Sequence, residues 1–291
     1  MVKSNLKEQK VIKKTDLKVV DNNAVKTTAY SDINLKKWRE YDHIKTDTLW
    51  EFPNRLKEGG HSNEYHGNYI PQIAQQIYER YTKKNDIVLD LFFGSGTSGI
   101  EAINMGRRCI GVELKDELAE SVSEKFTPKQ LVTDVNIICA DSASEIAKEK
   151  IKARLDIMGA KKAQLLMLHP PYDDIIKFSD KKEDLSNCAT TEEFYDLFEK
   201  VAKNGYDLLE KGRFACLIIG DKYANSQHIP LGFECMARMN KLGFITKAII
   251  IKDMQGNERA KGKTANLWRY RALAGGFYIF KHEYVMVFQK V

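Results

Sequence analysis

The chain has 291 residues, 43% of them hydrophobic, and a formal net charge of +6 from 46 Lys and Arg against 40 Asp and Glu. That length suits one large α/β domain, or one domain with a small appendage, and no apolar run approaches the roughly 20 residues that cross a bilayer. The charge is too mild to imply a polyanionic partner by itself. Cys109, Cys139, Cys188, Cys216 and Cys235 form no CxxC pair, which argues against structural zinc and for a reduced, cytoplasmic setting.

Residues 1–30 are polar and lysine-rich and read as a flexible basic arm. The opening MVKSNLKEQKVIKK has no apolar stretch behind it, so no secretory leader is expected. Residues 31–80 contain aromatics, and Tyr69-Ile70-Pro71-Gln72 leads into a helix, Ile73 to Tyr81. A regular alternation follows. IVLDLF (87–92) predicts a strand, TSGIEAINMG (97–106) a helix with a glycine stop, CIGVEL (109–114) a strand and KDELAESVSEKF (115–126) a helix. VNIICADS (135–142) and AQLLMLHPPY (163–172) predict the next strands, with the helical SASEIAKEKIKARL (144–155) between them. A helix over 192–212, stopped by Gly212, precedes the strand RFACLIIGDKY (213–223). A helix over 230–244, a strand over 245–253 and a last strand or hairpin over 276–290 complete the pattern. Continuous Val/Ile/Leu strands alternating with amphipathic helices imply a parallel sheet covered on both faces. Right-handed crossovers then give a doubly wound three-layer α/β sandwich.

Asp90-Leu91-Phe92-Phe93-Gly94-Ser95-Gly96-Thr97 sits where the first strand of the alternation meets the first helix. Gly94 and Gly96 let the backbone turn tightly beside a ligand. No third glycine completes a dinucleotide fingerprint, and no GK[ST] completes a P-loop. The acids choose the ligand. Asp90 ends one strand, Glu113 ends the next at the place of a ribose-binding carboxylate, and Asp141 ends the third, where an acceptor meets an adenine amino group. A ribose, an adenine and an ammonium without phosphate fit this set, and S-adenosylmethionine is such a ligand. Leu168-His169-Pro170-Pro171-Tyr172 follows the fourth strand, and its two prolines fix an extended, rigid turn. The turn carries an aromatic plate, Tyr172, and a polar side chain, His169. Between the last strands, Lys261, Lys263, Trp268, Arg269 and Arg271 mix basic and aromatic groups suited to phosphate and base contacts. Trp268 and Tyr270 have core packing as their alternative role.

DLFFGSGT resembles motif I of the DNA amino-methyltransferases, which modify adenine N6 or cytosine N4. His66-Gly67-Asn68-Tyr69-Ile70-Pro71-Gln72 is similar to the family segment that closes over the methionine part of the cofactor. The likeness is close over 66–172 and looser beyond. It implies a class I methyltransferase-like, seven-stranded mixed sheet with an antiparallel last strand, and S-adenosylmethionine as cofactor. Asn68, Tyr69, Ile70, Asp90, Phe92, Gly94, Gly96, Thr97, Glu113, Leu114, Asp141 and Ser142 would bind that cofactor, and no metal is implied.

The same resemblance makes His169, Pro170, Pro171 and Tyr172 the catalytic turn. An exocyclic amino nitrogen delocalises its lone pair into the base and is a poor nucleophile, so acceptors that grip its hydrogens free that pair. Stacking on Tyr172 would hold the base after it leaves the duplex. The family usually has Asp, Asn or Ser where this chain has His169, a departure that removes the usual hint between adenine and cytosine. A neutral imidazole still accepts one hydrogen bond, and the Pro170 carbonyl offers a second acceptor. The expected substrate is double-stranded DNA, with a restriction endonuclease as a further partner and no membrane. Recognition is expected from small elements, 31–65, 173–190 and 253–275, within a catalytic domain spanning 31–291. The rivals are an RNA or protein amide methyltransferase and a non-catalytic relative that keeps cofactor and DNA binding.

Overall fold

A computed structural model describes residues 28–61, 67–254 and 265–291. Most of the expected basic arm, together with His66, Lys261 and Lys263, lies outside the described residues. In chain order the strands are β1 (Leu49–Trp50), β2 (Ile87–Asp90), β3 (Arg108–Glu113), β4 (Val135–Cys139), β5 (Ala163–Leu168), β6 (Leu209–Ile219), β7 (Lys222–Ala224), β8 (Gln227–Ile229), β9 (Phe244–Asp253) and β10 (His282–Lys290). The α-helices are α1 (Pro71–Tyr81), α2 (Thr97–Asn104), α3 (Asp116–Ser123), α4 (Pro128–Thr133), α5 (Glu145–Ile157), α6 (Thr191–Leu208), α7 (Leu231–Lys241) and α8 (Ala265–Gly275).

One sheet runs β1-β9-β10-β6-β5-β2-β3-β4, and β7 pairs with β8 in a separate small ribbon. Pairing is parallel from β6 through β5, β2 and β3 to β4, while β10 lies antiparallel between β6 and β9. The expected mixed sheet with its antiparallel last strand is therefore present. The two-residue β1 adds an eighth strand alongside the seven expected. Its apolar signal is only Leu49-Trp50, too short to read as a strand before Trp50 is seen buried against β9.

Strand alternation explains why the apolar runs are continuous. Ile87, Leu89, Leu166 and Leu168 face a core shared with Ile151 and Leu155 of α5, Phe194 and Phe198 of α6 and Met239 of α7. Val88, Leu165 and Met167 face the opposite core, against Ile73 and Ile77 of α1 and Val122 of α3. Both faces are buried, as a doubly wound sheet requires.

Some boundaries differ from the sequence reading. The helix expected to run to Gly212 ends at Leu208, and β6 begins at Leu209. Gly212, at φ +83°, sits inside that strand rather than stopping the helix. The helix expected over 115–126 closes at Ser123, because Thr127 starts a capping box and Pro128 opens the separate helix α4. The segment expected to link the last two strands contains α8. Among the described residues no helix is long and apolar enough to cross a membrane, and no group of three or more His, Cys, Asp or Glu could hold a metal.

The sheet also fixes the glycine loop through one tight contact. A Cβ at Gly111, on β3, would stand 2.3 Å from the Phe93 ring. Phe93 also donates its N–H to the Val112 carbonyl at 3.0 Å. Gly111→Ala must therefore push Phe93 and its loop outward. We expect it to destabilise the protein by about 1–3 kcal/mol in chemical denaturation; unchanged stability would show that the ring has room to move.

Candidate active site

The strand order places the site. The chain winds from β2 outward to β3 and β4, then returns so that β5 lies on the other side of β2. The carboxyl ends of β2 and β5 thus flank the point where the winding reverses, which is where ligands bind in such sheets. The loop after β2 carries Phe92 to Gly96, and the turn after β5 carries His169 to Tyr172. A cleft opens between them, lined from both loops.

Asn68, Tyr69, Phe92, Gly94, Thr97, Glu113, Leu114, Asp141 and Ser142 line this cleft, as do His169, Pro170 and Pro171. Ile70, Asp90, Gly96 and Tyr172 do not. The first three support the wall from behind. Ile70 is buried at the start of α1. Gly96, at φ +84°, precedes the first turn of α2, and a Cβ there would meet Val122 at 2.7 Å. Asp90 is buried and accepts from the Phe92 N–H at 2.9 Å and from the Ser98 hydroxyl, which itself lies 2.5 Å from the Tyr69 hydroxyl. Burial pushes the Asp90 carboxyl up to about 6. Asp90 therefore braces the loop and links it to Tyr69.

Glu113 shows how an acid at a strand end can serve a ligand. One oxygen accepts from the Gly94 N–H and the other from the Lys115 N–H, both at 2.9 Å. The carboxylate is thus oriented while each oxygen keeps a further acceptor site for a hydroxyl. Burial raises its pKa and the backbone donors oppose that rise. Asp141 spends one oxygen on the Ala143 N–H at 2.9 Å. Ser142 donates to the Leu91 carbonyl at 2.7 Å, tying the β4 loop to the β2 loop.

The test of the cofactor is a buried polar atom. The Asn68 Nδ2 has no hydrogen-bond partner among the described residues, and Asn68 belongs to the cleft wall. A buried amide donor without a partner costs free energy unless a ligand supplies an acceptor, and the carboxylate of S-adenosylmethionine would do so. Glu113 suits ribose hydroxyls and Asp141 an adenine amino group, so the residues present fit the cofactor.

The sequence reading overlooked other lining groups: Lys115, Glu183, Asp184, Leu185 and Val201. Within the expected recognition element 173–190, Phe178 lines the cleft, whereas Asp173 and Asp174 pair with Lys222. No local motif marks 183–185. They reach the cleft because a single 3-10 turn, Leu185–Asn187, folds that segment back. On α8, Arg269, Tyr270 and Arg271 are exposed and Trp268 is half-buried, with the Arg271 guanidinium 5.3 Å from the Trp268 ring.

The family model for DNA methylases acting at N6 or N4 matches residues 3–124 and 163–291. The chain belongs to this family. S-adenosylmethionine, the cofactor expected from the motifs, goes with that membership. The family match begins far upstream of residue 66, where the motif likeness starts, and passes over residues 125–162. Among curated relatives, the probable type III restriction-modification enzyme HindVI Mod subunit of Haemophilus influenzae is 34% identical over 33% of this chain and 13% of its own length. The DNA adenine methyltransferase YhdJ of Escherichia coli is 32% identical over 38% of this chain and 35% of its own length. The chain thus spans only a minor part of the curated relatives it matches. Among solved structures, the cyclase SpnF superposes with a TM-score of 0.50 at 12% identity, over 78% of this chain and 85% of that one. That likeness concerns the fold alone.

Membership of the family makes a direct binding prediction. Gly96→Val strains the turn and strikes Val122, and Glu113→Ala removes the oriented acceptor. Calorimetry should show S-adenosylmethionine affinity falling about tenfold or more in each. Unchanged affinity in both folded variants would place the cofactor elsewhere.

Proposed function

We propose that this chain methylates an exocyclic amino group of a flipped base in double-stranded DNA, adenine N6 or cytosine N4. The observation that carries the reading is the convergence of the glycine loop and the His-Pro-Pro-Tyr turn on one cleft in a member of the DNA methylase family. When bound, S-adenosylmethionine supplies an electrophilic methyl group on a sulfonium.

The residues act by placement. Pro170 and Pro171 hold the turn rigid at the cleft wall. His169 and the Pro170 carbonyl grip the amino hydrogens, so the nitrogen lone pair turns out of the base plane toward the methyl group. Tyr172 offers its ring to the flipped base, with its orientation set by a 2.8 Å hydrogen bond from its hydroxyl to Glu283. The amino proton is lost after transfer, when the nitrogen is acidic, so no strong base is required. Asn68, Tyr69 and the strand-end acids bind the cofactor, and Asp90 and Gly96 hold the loop. The exposed Arg269 and Arg271 of α8 meet the DNA backbone. A restriction endonuclease completes the proposed setting, in the cytoplasm; the Mod-subunit name of the Haemophilus relative supports that partner.

His169 must be neutral to accept. Burial pushes its pKa down to about 4; Glu283 opposes the shift, and Lys252 and Arg55 reinforce it. The acceptor is therefore present above about pH 4 and lost as pH falls through that value. The acid limb belonging to His169 should lie near pH 4, not near the 6.5 of a free imidazole. His169→Ala should lower kcat on the order of a hundredfold with cofactor affinity retained, and His169→Asp should restore much of it. Wild-type turnover in His169→Ala would mean that the Pro170 carbonyl suffices. Tritium transfer to DNA, and none to RNA or protein, is the expected substrate result.

The recognition surface has its own test. Charge reversal at Arg269 and Arg271 should weaken DNA binding and reduce the slope of log affinity against log salt by about one per lost phosphate contact. Parental binding in both variants would move recognition to residues 31–65.

A further inference from the structure

Behind the His-Pro-Pro-Tyr turn lies a buried charged pair. Lys252 on β9 and Glu283 on β10 are register partners, 1% and 6% exposed, with Nζ 2.9 Å from Oε1. The other carboxylate oxygen of Glu283 accepts from the Tyr172 hydroxyl at 2.8 Å. That hydroxyl oxygen in turn lies 3.4 Å from His169 Nε2. The Tyr172 ring has little freedom, since a Cβ on Gly220 would already stand 2.9 Å from it. The His169 ring is boxed edge-on between Tyr69 and Tyr172, at centroid distances of 5.3 and 5.8 Å.

These bonds have a direction. A carboxylate paired with an ammonium only accepts, so the Tyr172 proton must point at Glu283. Burial and the Glu283 charge raise the Tyr172 pKa well above its ordinary value, which keeps that proton in place. The face that the hydroxyl oxygen turns to His169 then carries only lone pairs. Nε2 must be the protonated nitrogen of the ring, and Nδ1 carries the lone pair. Nδ1 makes no hydrogen bond among the described residues, in a ring that lines the cleft. The 3.4 Å separation is long, as expected for a contact that tightens when substrate arrives.

We propose that Glu283, held by Lys252, is a positioning residue that acts through Tyr172 to fix His169 as its Nε2–H tautomer. Nδ1 is thereby left as the acceptor for the target amino group. The role deepens the methyl-transfer reading and rests on it for the identity of the group gripped, but the tautomer can be read without turnover. The hydroxyl of Tyr172 thus has a task separate from any stacking by its ring.

The test uses the full chain labelled with 15N-histidine, His169 being assigned by loss of its signals in His169→Gln. Two-bond proton–nitrogen correlations at pH 7 should show Nε2 protonated and Nδ1 bare. Tyr172→Phe keeps the ring and its packing but removes the relay oxygen; it should shift His169 to a mixed or Nδ1–H population. Its kcat should fall about tenfold, with cofactor affinity changed less than about twofold. Glu283→Gln should also shift the tautomer, and Glu283→Asp should recover part of it. An Nδ1–H tautomer in the wild type, or a wild-type tautomer in folded Tyr172→Phe, would overturn the proposal. If the tautomer follows the relay but no methyl reaches DNA, the relay stands and the functional reading falls.

Discussion

The site depends on one constraint, the parallel pairing of β2 with β3 on one side and β5 on the other. Asp90 opposes Gly111 across one ladder and Met167 across the other. Two loops that are some 75 residues apart in sequence therefore leave the sheet side by side. Backbone bonds extend the ladder into the loop: Leu91 donates to the Met167 carbonyl at 3.3 Å and Phe93 to the Val112 carbonyl at 3.0 Å. The glycine loop is thus an extension of the sheet, and its position relative to the proline turn is fixed by strand geometry. Chemistry that depends on sub-ångström placement needs such a rigid support.

Burial then sets the electrostatics. The walls hold acids that the sheet and helices partly desolvate, and each acid at the strand ends has backbone donors. Phe92 serves Asp90, Gly94 and Lys115 serve Glu113, and Ala143 serves Asp141. These donors orient the carboxylates before any ligand arrives, so little reorganisation remains for the moment of binding. Burial acts oppositely on His169, where it favours the uncharged ring. One dry environment therefore raises the acids and lowers the histidine, which suits both the cofactor and the acceptor role proposed for His169.

The strands were legible because both faces of each are apolar, and the glycine loop and proline turn were legible because few other backbones need such residues. Side-chain direction was less so. Asp90 reads from sequence as a ligand contact, yet its oxygens turn to Ser98 and Phe92, because α2 brings Ser98 back over the strand end. Tyr172 reads as a stacking plate, and nothing local reveals that its hydroxyl is bound by a residue 111 positions away. Lys252 and Glu283 were not singled out at all. Their meeting depends on the register of β9 against β10, and that register includes a shift between Val287 and Phe288. Gly212 was misread for a related reason: a glycine after a helical run signals a stop, but here the helix had already ended and the strand had begun. Local pattern shows elements, whereas the partners of polar groups follow from register and packing.

That pair of charges bears on what the turn is for. Burying an ammonium and a carboxylate is costly, and well-packed apolar residues at two such cross-strand positions are often as stabilising or more so. Removing either partner alone, by contrast, strands the other and costs roughly 3–5 kcal/mol. Stability therefore gives no reason to place Lys252 and Glu283 in the core. Burial pushes the Glu283 carboxyl up, yet the Lys252 ammonium, with the Tyr172 hydrogen bond, holds it below the usual range. Glu283 is thus a permanent acceptor in the one place where the Tyr172 hydroxyl can reach it. An apolar pair would leave that hydroxyl to seek His169 instead, as a donor. It would then occupy the lone pair at Nε2 and put the imidazole proton on Nδ1, the nitrogen proposed to accept from the target amino group. Where the family commonly has an acid, amide or hydroxyl before the prolines, acceptor capacity is present without help. A histidine has two nitrogens and one lone pair when neutral, so its use at this position requires something to choose between them.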